Sequence, residues 1–521
     1  MPYRPTRKAT ALGASLLGAA IFVVALLGAA LLGAVLLTGC GRREKVLAVA
    51  VEPALESRFE GLLAGHPLPA SWKRVAGEAA GDADCTLRLE WRPTGAVPAR
   101  SEKAAVLERR WLAAAVDFSD PRMDVSPEEA RKTGLVDLAE VGLPRRALSV
   151  GGRLPGEKDY AFTEDLVLAL VPFRGHVPAS LSAWLEGISR EAAPLSGQGE
   201  ALASAPAPLV ISAVGDMELG PDEAALMLDA GAGQARLFGG TRPLLAGADI
   251  LVGNLEGPVT TRSEGNPRKR FQFRFPPATI AALGRAGFDL LLFANNHGFD
   301  FGEQGFEDSL ADARAAAMPL VGAGMDGMSA VRPETLSRGT GGAATRFTFV
   351  GFAFYPAERL GFSLDESRAG PGRPGVNADE AATLASIRET AGKGDFVIVL
   401  AHGGNEYRFE PSPEAKRLYR AFIDAGASLV IGSHPHVLQG AESYHGGLIA
   451  YSLGNFLFTG EKEPEEALES AMLRILVYKG AIRGFSLVPV TVGIGGTDLS
   501  RSPGLTMSDF MARSAALSRV R

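Results

Sequence analysis

Between residues 209 and 453 the chain repeats one pattern: a strand-length apolar run, a short polar break, and a helix-like stretch. The apolar runs cover 209–214, 250–253, 289–294, 347–352, 396–401, 429–432 and 448–453. Helix-like segments lie at 277–286, 303–317, 379–390 and 413–425, with Ser412-Pro413 and Asn377 where caps and a first-turn proline belong. Alternation of this kind predicts α/β layers with buried sheets. Two further runs, 471–478 and 483–490, flank Lys479-Gly480 and read as a closing hairpin.

The residues just after each strand point to chemistry. The runs lead into Gly215-Asp216-Met217-Glu218, Gly253-Asn254-Leu255-Glu256, Ala294-Asn295-Asn296-His297, Ala401-His402-Gly403 and Gly432-Ser433-His434-Pro435-His436. Sites in α/β sheets form outside the carboxyl ends of strands, and glycine lets backbone approach closely there. A lone His or Gly-Asp after a strand is usually a rim or turn residue. Five such ends in order predict one shared site. Carboxylate, amide oxygen and imidazole suit Mn²⁺, Fe or Zn²⁺ better than an all-oxygen calcium cage. The chain has two cysteines, Cys40 and Cys85, too few for a disulfide framework or a thiolate zinc cluster.

Composition closes other routes. Hydrophobic residues make up 46% and charged residues 21% of the 521, which excludes wholesale disorder. A net charge of −6 leaves no electrostatic footprint for nucleic acid.

The amino terminus reads as an address. Arg4, Arg7 and Lys8 precede residues 9–41, which carry no charge and are long enough to span a bilayer. The run ends in Leu37-Thr38-Gly39-Cys40, which resembles a bacterial lipobox with Cys40 as the lipidated residue; an uncleaved signal anchor is the alternative. Either reading predicts a membrane-anchored, extracytoplasmic protein. The expected order is a signal or anchor over 1–40, a smaller α/β domain over 45–190, a Pro/Ala/Ser/Gly linker over 191–208, the main domain over 209–500 and a tail over 501–521. The 45–190 pattern, including a helix after Ser126, resembles half of a periplasmic solute-binding domain; an α/β spacer without a ligand is the alternative.

Residues 209 to about 460 resemble the bacterial capsule-synthesis protein CapA family, the poly-γ-glutamate biosynthesis proteins, within the calcineurin-like metallophosphoesterase superfamily. The stretches that carry the resemblance are AVGDMELG (213–220), VGNLEGPVT (252–260), FRFPP (273–277), GFDLLLFANNHGFDFGEQGFEDSL (287–310), LAHGGNEYRFEPSP (400–413), IDAGASLVIGSHPHVLQGAE (423–442) and LIAYSLGNFLF (448–458). The resemblance implies a four-layer α/β/β/α sandwich with two divalent metal ions. It would place Asp216 and His436 on the first metal, Asn296, His402 and His434 on the second, Glu256 as the bridging carboxylate, and His297 as the general acid. Where the superfamily has Asp-x-His, this chain has Asp216-Met217-Glu218, so either Glu218 is a carboxylate ligand or the first position is weakened. Arg274 is read as an anion-binding group or a surface ion pair. Glu406 and Tyr407 are expected to line the cleft.

The function implied is synthesis or export of a poly-γ-glutamate-type capsule or another anionic surface polymer, with membrane subunits of that machinery as partners. The alternative is an exported metal-dependent phosphoesterase acting on a phosphorylated wall or lipid-linked metabolite. No Gly-x-x-x-x-Gly-Lys-Ser/Thr loop occurs, so the chain does not read as the polymerising ligase.

Overall fold

The computed structural model describes residues 45–518 except 52, 70–71, 77–84, 94–101, 118–119, 121, 123, 144, 151–152, 156, 158–159, 161, 173–176, 193–206, 340–343, 459–464, 494–495 and 501–502. The apolar run 9–41, Cys40 and most of the expected linker lie outside the described residues. Among the described residues no helix is long and apolar enough to cross a membrane.

The chain divides into two compact units, one within Met1–Arg110 and Phe162–Ala205, the other from Trp111–Ala161 and Pro206–Arg521. The first unit holds a sheet in the order Trp72–Ala76, Lys45–Val51, Cys85–Pro93, Thr163–Pro172. Its first three strands are parallel and its last is antiparallel. Leu47, Leu87, Leu89, Leu168 and Leu170 pack there with Phe59 of one helix and Leu181, Leu185 and Ile188 of another. This is a small α/β unit.

Residues 111–161, expected with the preceding region, cluster with the second unit instead. The reason lies in contacts far apart in sequence: Ala147 pairs with Gly484, Arg474 forms an ion pair with Glu157, and Arg483 Nη1 donates to the Val141 carbonyl at 2.6 Å. The helix Pro127–Thr133 starts as expected at Ser126, whose hydroxyl accepts from Glu129 N while the Glu129 carboxylate accepts from Ser126 N.

The main strands of the second unit are β1 (Leu209–Met217), β2 (Ile250–Leu255), β3 (Leu290–Leu292), β4 (Thr345–Phe354), β5 (Phe396–Gly403), β6 (Leu429–Ser433), β7 (Gly447–Ala450), β8 (Glu469–Tyr478) and β9 (Ala481–Gly493). In one sheet β3, β2 and β1 are parallel neighbours and β8 pairs antiparallel with β1. In the other, β4, β5, β6 and β7 are all parallel. The β8–β9 hairpin turns through Lys479 and Gly480, both left-handed at φ 51° and 69°, as a two-residue hairpin turn requires.

The helices that matter here are α1 (Thr279–Ala286), α2 (Gly302–Ala315), α3 (Glu380–Gly392), α4 (Pro413–Asp424) and α5 (Pro503–Ser518). Layering arises from the period of two along a strand. On β5, Phe396, Ile398 and Leu400 join the core containing Ile211, Val252 and Leu291 of the other sheet. Val397, Val399 and Ala401 point the opposite way, into a separate core with Ile387 of α3 and Leu418, Tyr419 and Phe422 of α4. Ile280 and Leu283 of α1 and Phe306 of α2 pack on the first sheet's residues. Helices therefore flank two face-to-face sheets.

Local chemistry sets the helix ends. The Ser412 hydroxyl accepts from Ala415 N at 3.1 Å with Pro413 in the first turn, and α4 then buries Ala415, Leu418, Tyr419, Phe422 and Ile423 on one face. Asn377 is not the cap of α3: Asp379 accepts from Ala382 N at 2.9 Å, while the Asn377 amide donates to Gly351 O and Thr383 Oγ1. Residues 501–521, expected as a tail, contain α5, which buries Phe510, Ser514 and Leu517; Ser514 Oγ accepts from Ala441 N at 2.9 Å.

Candidate metal centre

Strand register brings the site together. Asp216, at the end of β1, lies opposite Asn254 on β2 and opposite Asn455 on the other side. In the second sheet His402 pairs with Ser433, the residue before His434. Two glycines make the approach possible. A Cβ on Gly215 would sit 1.8 Å from Gly454 O, and one on Gly432 would sit 2.0 Å from Tyr451 O. The turn after β6 carries His434 at φ 96° and His436 at φ 58°, left-handed conformations costing on the order of 1–3 kcal/mol each, as is common where geometry serves a site.

Asp216, Glu256, His402, His434 and His436 are all buried, and their ligand atoms converge in two overlapping sets. Asp216, Glu256 and His402 have atoms within 4.8 Å of one another; so do Glu256, His434 and His436. Glu256 belongs to both. Asn296 joins them through Oδ1, 2.8 Å from His402 Nε2. His436 Nδ1 is 3.5 Å from Asp216 Oδ2, and His402 Nε2 is 3.5 Å from Glu256 Oε1.

Hydrogen-bond accounting defines what faces the centre. Asn254 Nδ2 donates to Asp216 Oδ1 at 2.8 Å and to Glu256 Oε2 at 3.2 Å, and lies 3.2 Å from His402 Nδ1. Ser433 Oγ donates to Ala401 O at 3.1 Å and lies 3.0 Å from His402 Nδ1. His402 Nε2 faces Asn296 Oδ1 at 2.8 Å and Glu256 Oε1 at 3.5 Å. His436 is oriented likewise, its Nδ1 donating to Asn455 Oδ1 at 2.9 Å. The buried His434 has no hydrogen-bond partner at either ring nitrogen. Carboxylate, amide and imidazole groups converging in a buried pocket form a donor set that suits a cation, and an imidazole held from behind by an oxygen acceptor, as His436 is by Asn455, is how proteins orient metal ligands.

Electrostatics agree. Burial, then the neighbouring Asp216 and Glu218, holds the Glu256 carboxyl well above its ordinary range. Burial, then the other imidazoles, holds His402 and His434 well below theirs. These buried acidic and histidine groups could hold a metal ion.

The other expected residues fall into place differently. Glu218 is buried and acts on Glu256 through its charge, but it is not a member of either convergent set. His297 lies beside Asn296; its Nδ1 meets Asp300 Oδ2 at 2.8 Å and its ring lies 4.6 Å from that of Phe273. Tyr407 stands 5.8 Å from the His436 ring, with its N–H donating to Pro435 O. Glu406 is exposed and raises Glu256 only weakly. Arg274 is exposed, donates to the Arg262 carbonyl and covers the Phe301 ring at 5.3 Å, so its guanidinium is engaged on the surface.

Sequence reasoning passed over Asp300, the Asn254 amide as the link between carboxylates, and Tyr355, whose ring lies 6.4 Å from that of His402. Only Asp300 carried a signal, three residues after His297 on a short helical turn.

Residues 210–460 match the family described as bacterial capsule synthesis protein PGA_cap. The PGA biosynthesis protein CapA of Bacillus subtilis is 30% identical over 262 residues, 50% of this chain and 66% of its own length. The capsule biosynthesis protein CapA of Bacillus anthracis is 33% identical over 227 residues, 43% of this chain and 53% of its own. The chain thus matches between about half and two thirds of these relatives' lengths. A phosphatase structure from Mycoplasma pneumoniae, 13% identical, aligns over 55% of this chain and 94% of that one at a TM-score of 0.33, too loose a likeness to bear on function. Every residue of the convergent cluster falls inside the matched stretch, and residues 210–460 of this chain belong to the bacterial capsule synthesis protein PGA_cap family.

Proposed function

We propose that this protein serves the synthesis or export of a poly-γ-glutamate-type capsule or another anionic surface polymer, through a divalent-metal centre in its second unit. Kinship with the two CapA proteins supports the polymer context. The observation that carries the metal centre is the buried convergence of Asp216, Glu256, His402, His434 and His436, with His434 unpartnered at both nitrogens. Two overlapping donor sets sharing Glu256 support two ions, with Asn296 beside His402 and the charge of Glu218 acting on Glu256. Mn²⁺, Fe and Zn²⁺ match the donor types.

When bound, such ions polarise a phosphoryl or carbonyl oxygen and acidify water. The chain's own residues supply the rest. Asn254 ties the Asp216 and Glu256 carboxylates together through its amide nitrogen. Asp300 keeps the His297 proton on Nδ1, which leaves Nε2 to exchange a proton with a leaving oxygen. That dyad favours a hydrolytic step on a phosphorylated substrate as a second reading. The run 9–41, by Cys40 lipidation or as a signal anchor, would keep the domain at the membrane's outer face beside the membrane subunits of the machinery.

Elemental analysis and p-nitrophenyl phosphate ester hydrolysis with Mn²⁺ test this on wild type, His434→Ala and His297→Ala. Metal content lost in His434→Ala supports the centre. Metal-stimulated turnover lost in both variants supports hydrolysis, whereas bound metal without turnover supports an assembly role. Wild-type protein that takes up none of the three metals rejects the centre.

A further inference from the structure

Lys269 stands between two exposed arginines, Arg268 and Arg270, in a segment whose charges otherwise face solvent, yet its side chain is fully buried. Burying an ammonium is costly unless each of its donors is matched. Its Nζ lies 2.9 Å from Asp300 Oδ1 and 2.7 Å from Glu358 Oε1, and donates to the carbonyl of Asn296. The Phe362 ring closes the remaining side at 4.5 Å. Two carboxylates and a carbonyl therefore surround the ammonium.

Each acceptor is one step from the metal centre. Asp300 presents its other oxygen, Oδ2, to His297 Nδ1 at 2.8 Å and also takes the Phe273 N–H there at 2.7 Å. Glu358 Oε1 accepts from Asn296 Nδ2 at 3.3 Å. The third acceptor is the backbone of Asn296 itself. An amide offers a cation only its oxygen, so the way Asn296 faces decides whether it can be a ligand. With Nδ2 drawn toward Glu358, Oδ1 points at His402 Nε2, 2.8 Å away.

We propose that Lys269 is the positioning residue of this centre, fixing through Glu358 and Asp300 which way the Asn296 amide and the His297 ring face. The proposal rests on the metal-centre reading above. A purely structural lysine would neutralise two buried acids and matter to the fold alone. A positioning lysine also governs the affinity and symmetry of the bound ion.

The test uses detergent-solubilised full-length protein and Mn²⁺ as the probe, with equilibrium dialysis for affinity and electron paramagnetic resonance for ligand symmetry. Lys269→Met removes the ammonium at similar length; Lys269→Gln keeps a donor without charge and carries the test if the Met variant does not fold. Loss of an orienting partner typically weakens metal binding about 10–100-fold. A drop of that size in the folded variant, with an altered Mn²⁺ spectrum, is the expected result. Wild-type affinity and spectrum in a folded variant overturn the role of Lys269 while the centre stands. Wild-type protein that binds no Mn²⁺ overturns both.

Discussion

Glu256→Gln should stabilise the protein in chelator and, in the same sample, remove its stabilisation by Mn²⁺. Glu256 is completely buried, and burial, Asp216 and Glu218 together raise its folded pKa well above the ordinary 4.5. A carboxyl of that kind contributes stability fully present below its unfolded pKa and lost as pH rises toward the folded one, because the unfolded chain ionises first. Gln keeps the shape and cannot ionise, so the variant's advantage in chelator should be small near pH 5.5 and larger at pH 8. His402 and His434, held below 6.5, contribute the opposite limb: stability lost as pH falls below about 6.5, in wild type and variant alike. With Mn²⁺ at a hundred times Kd, wild type gains about 2.7 kcal/mol. Loss of a carboxylate shared by both donor sets should weaken binding by at least about 100-fold, beyond the usual effect of an orienting partner, leaving about 0.4 kcal/mol. At about 2 °C per kcal/mol, the low end for large domains, the Mn²⁺ shift in Tm falls from ~5 °C to ~1 °C. Differential scanning calorimetry at the two pH values, with EDTA and with Mn²⁺, reads every arm. A variant less stable than wild type in EDTA at pH 8, or one with an intact Mn²⁺ shift, would refute the reasoning.

Other contacts carry their own expected outcomes. If the centre hydrolyses phosphoesters, His297→Ala should lower Mn²⁺-dependent kcat by about 10²–10⁴ with metal content retained, and Asp300→Asn should lower it less; equal metal loss in both would assign them to binding. Gly215→Ala places a Cβ 1.8 Å from Gly454 O, so urea denaturation should show a loss of at least about 1–3 kcal/mol together with weaker metal uptake. Phe422→Ala empties a wholly buried site between α4 and the second sheet and should cost about 3–5 kcal/mol without altering Mn²⁺ affinity in the folded protein. Ser126→Ala removes one half of a capping box and should cost about 1 kcal/mol by thermal melting.

Strand–helix alternation made the second unit legible, because a buried strand must be apolar throughout and the glycine and polar residues after it must form the exit from the sheet. For the same reason the strand-end groups Asp216, Glu256, Asn296, His402, His434 and His436 could be named: a parallel sheet sends successive carboxyl ends to one edge. Ser412 and Ser126 were readable because capping is settled within four residues. Asp379 displaced Asn377 as a cap because the Asn377 amide is satisfied by Gly351, which only the fold brings near.

Long-range partners decided what local pattern could not express. Residues 111–161 belong with the second unit because Ala147 and Glu157 meet Gly484 and Arg474, more than three hundred positions away in the chain. Lys269 reads as one more surface cation between two arginines until Asp300, Glu358 and Asn296 close around it. Periodicity and strand-end chemistry are properties of a few adjacent residues, so they survive in a linear string. The direction in which an amide, an imidazole or an ammonium points is set by whichever distant atom satisfies its last hydrogen bond, and that atom is chosen only when the sheets come together.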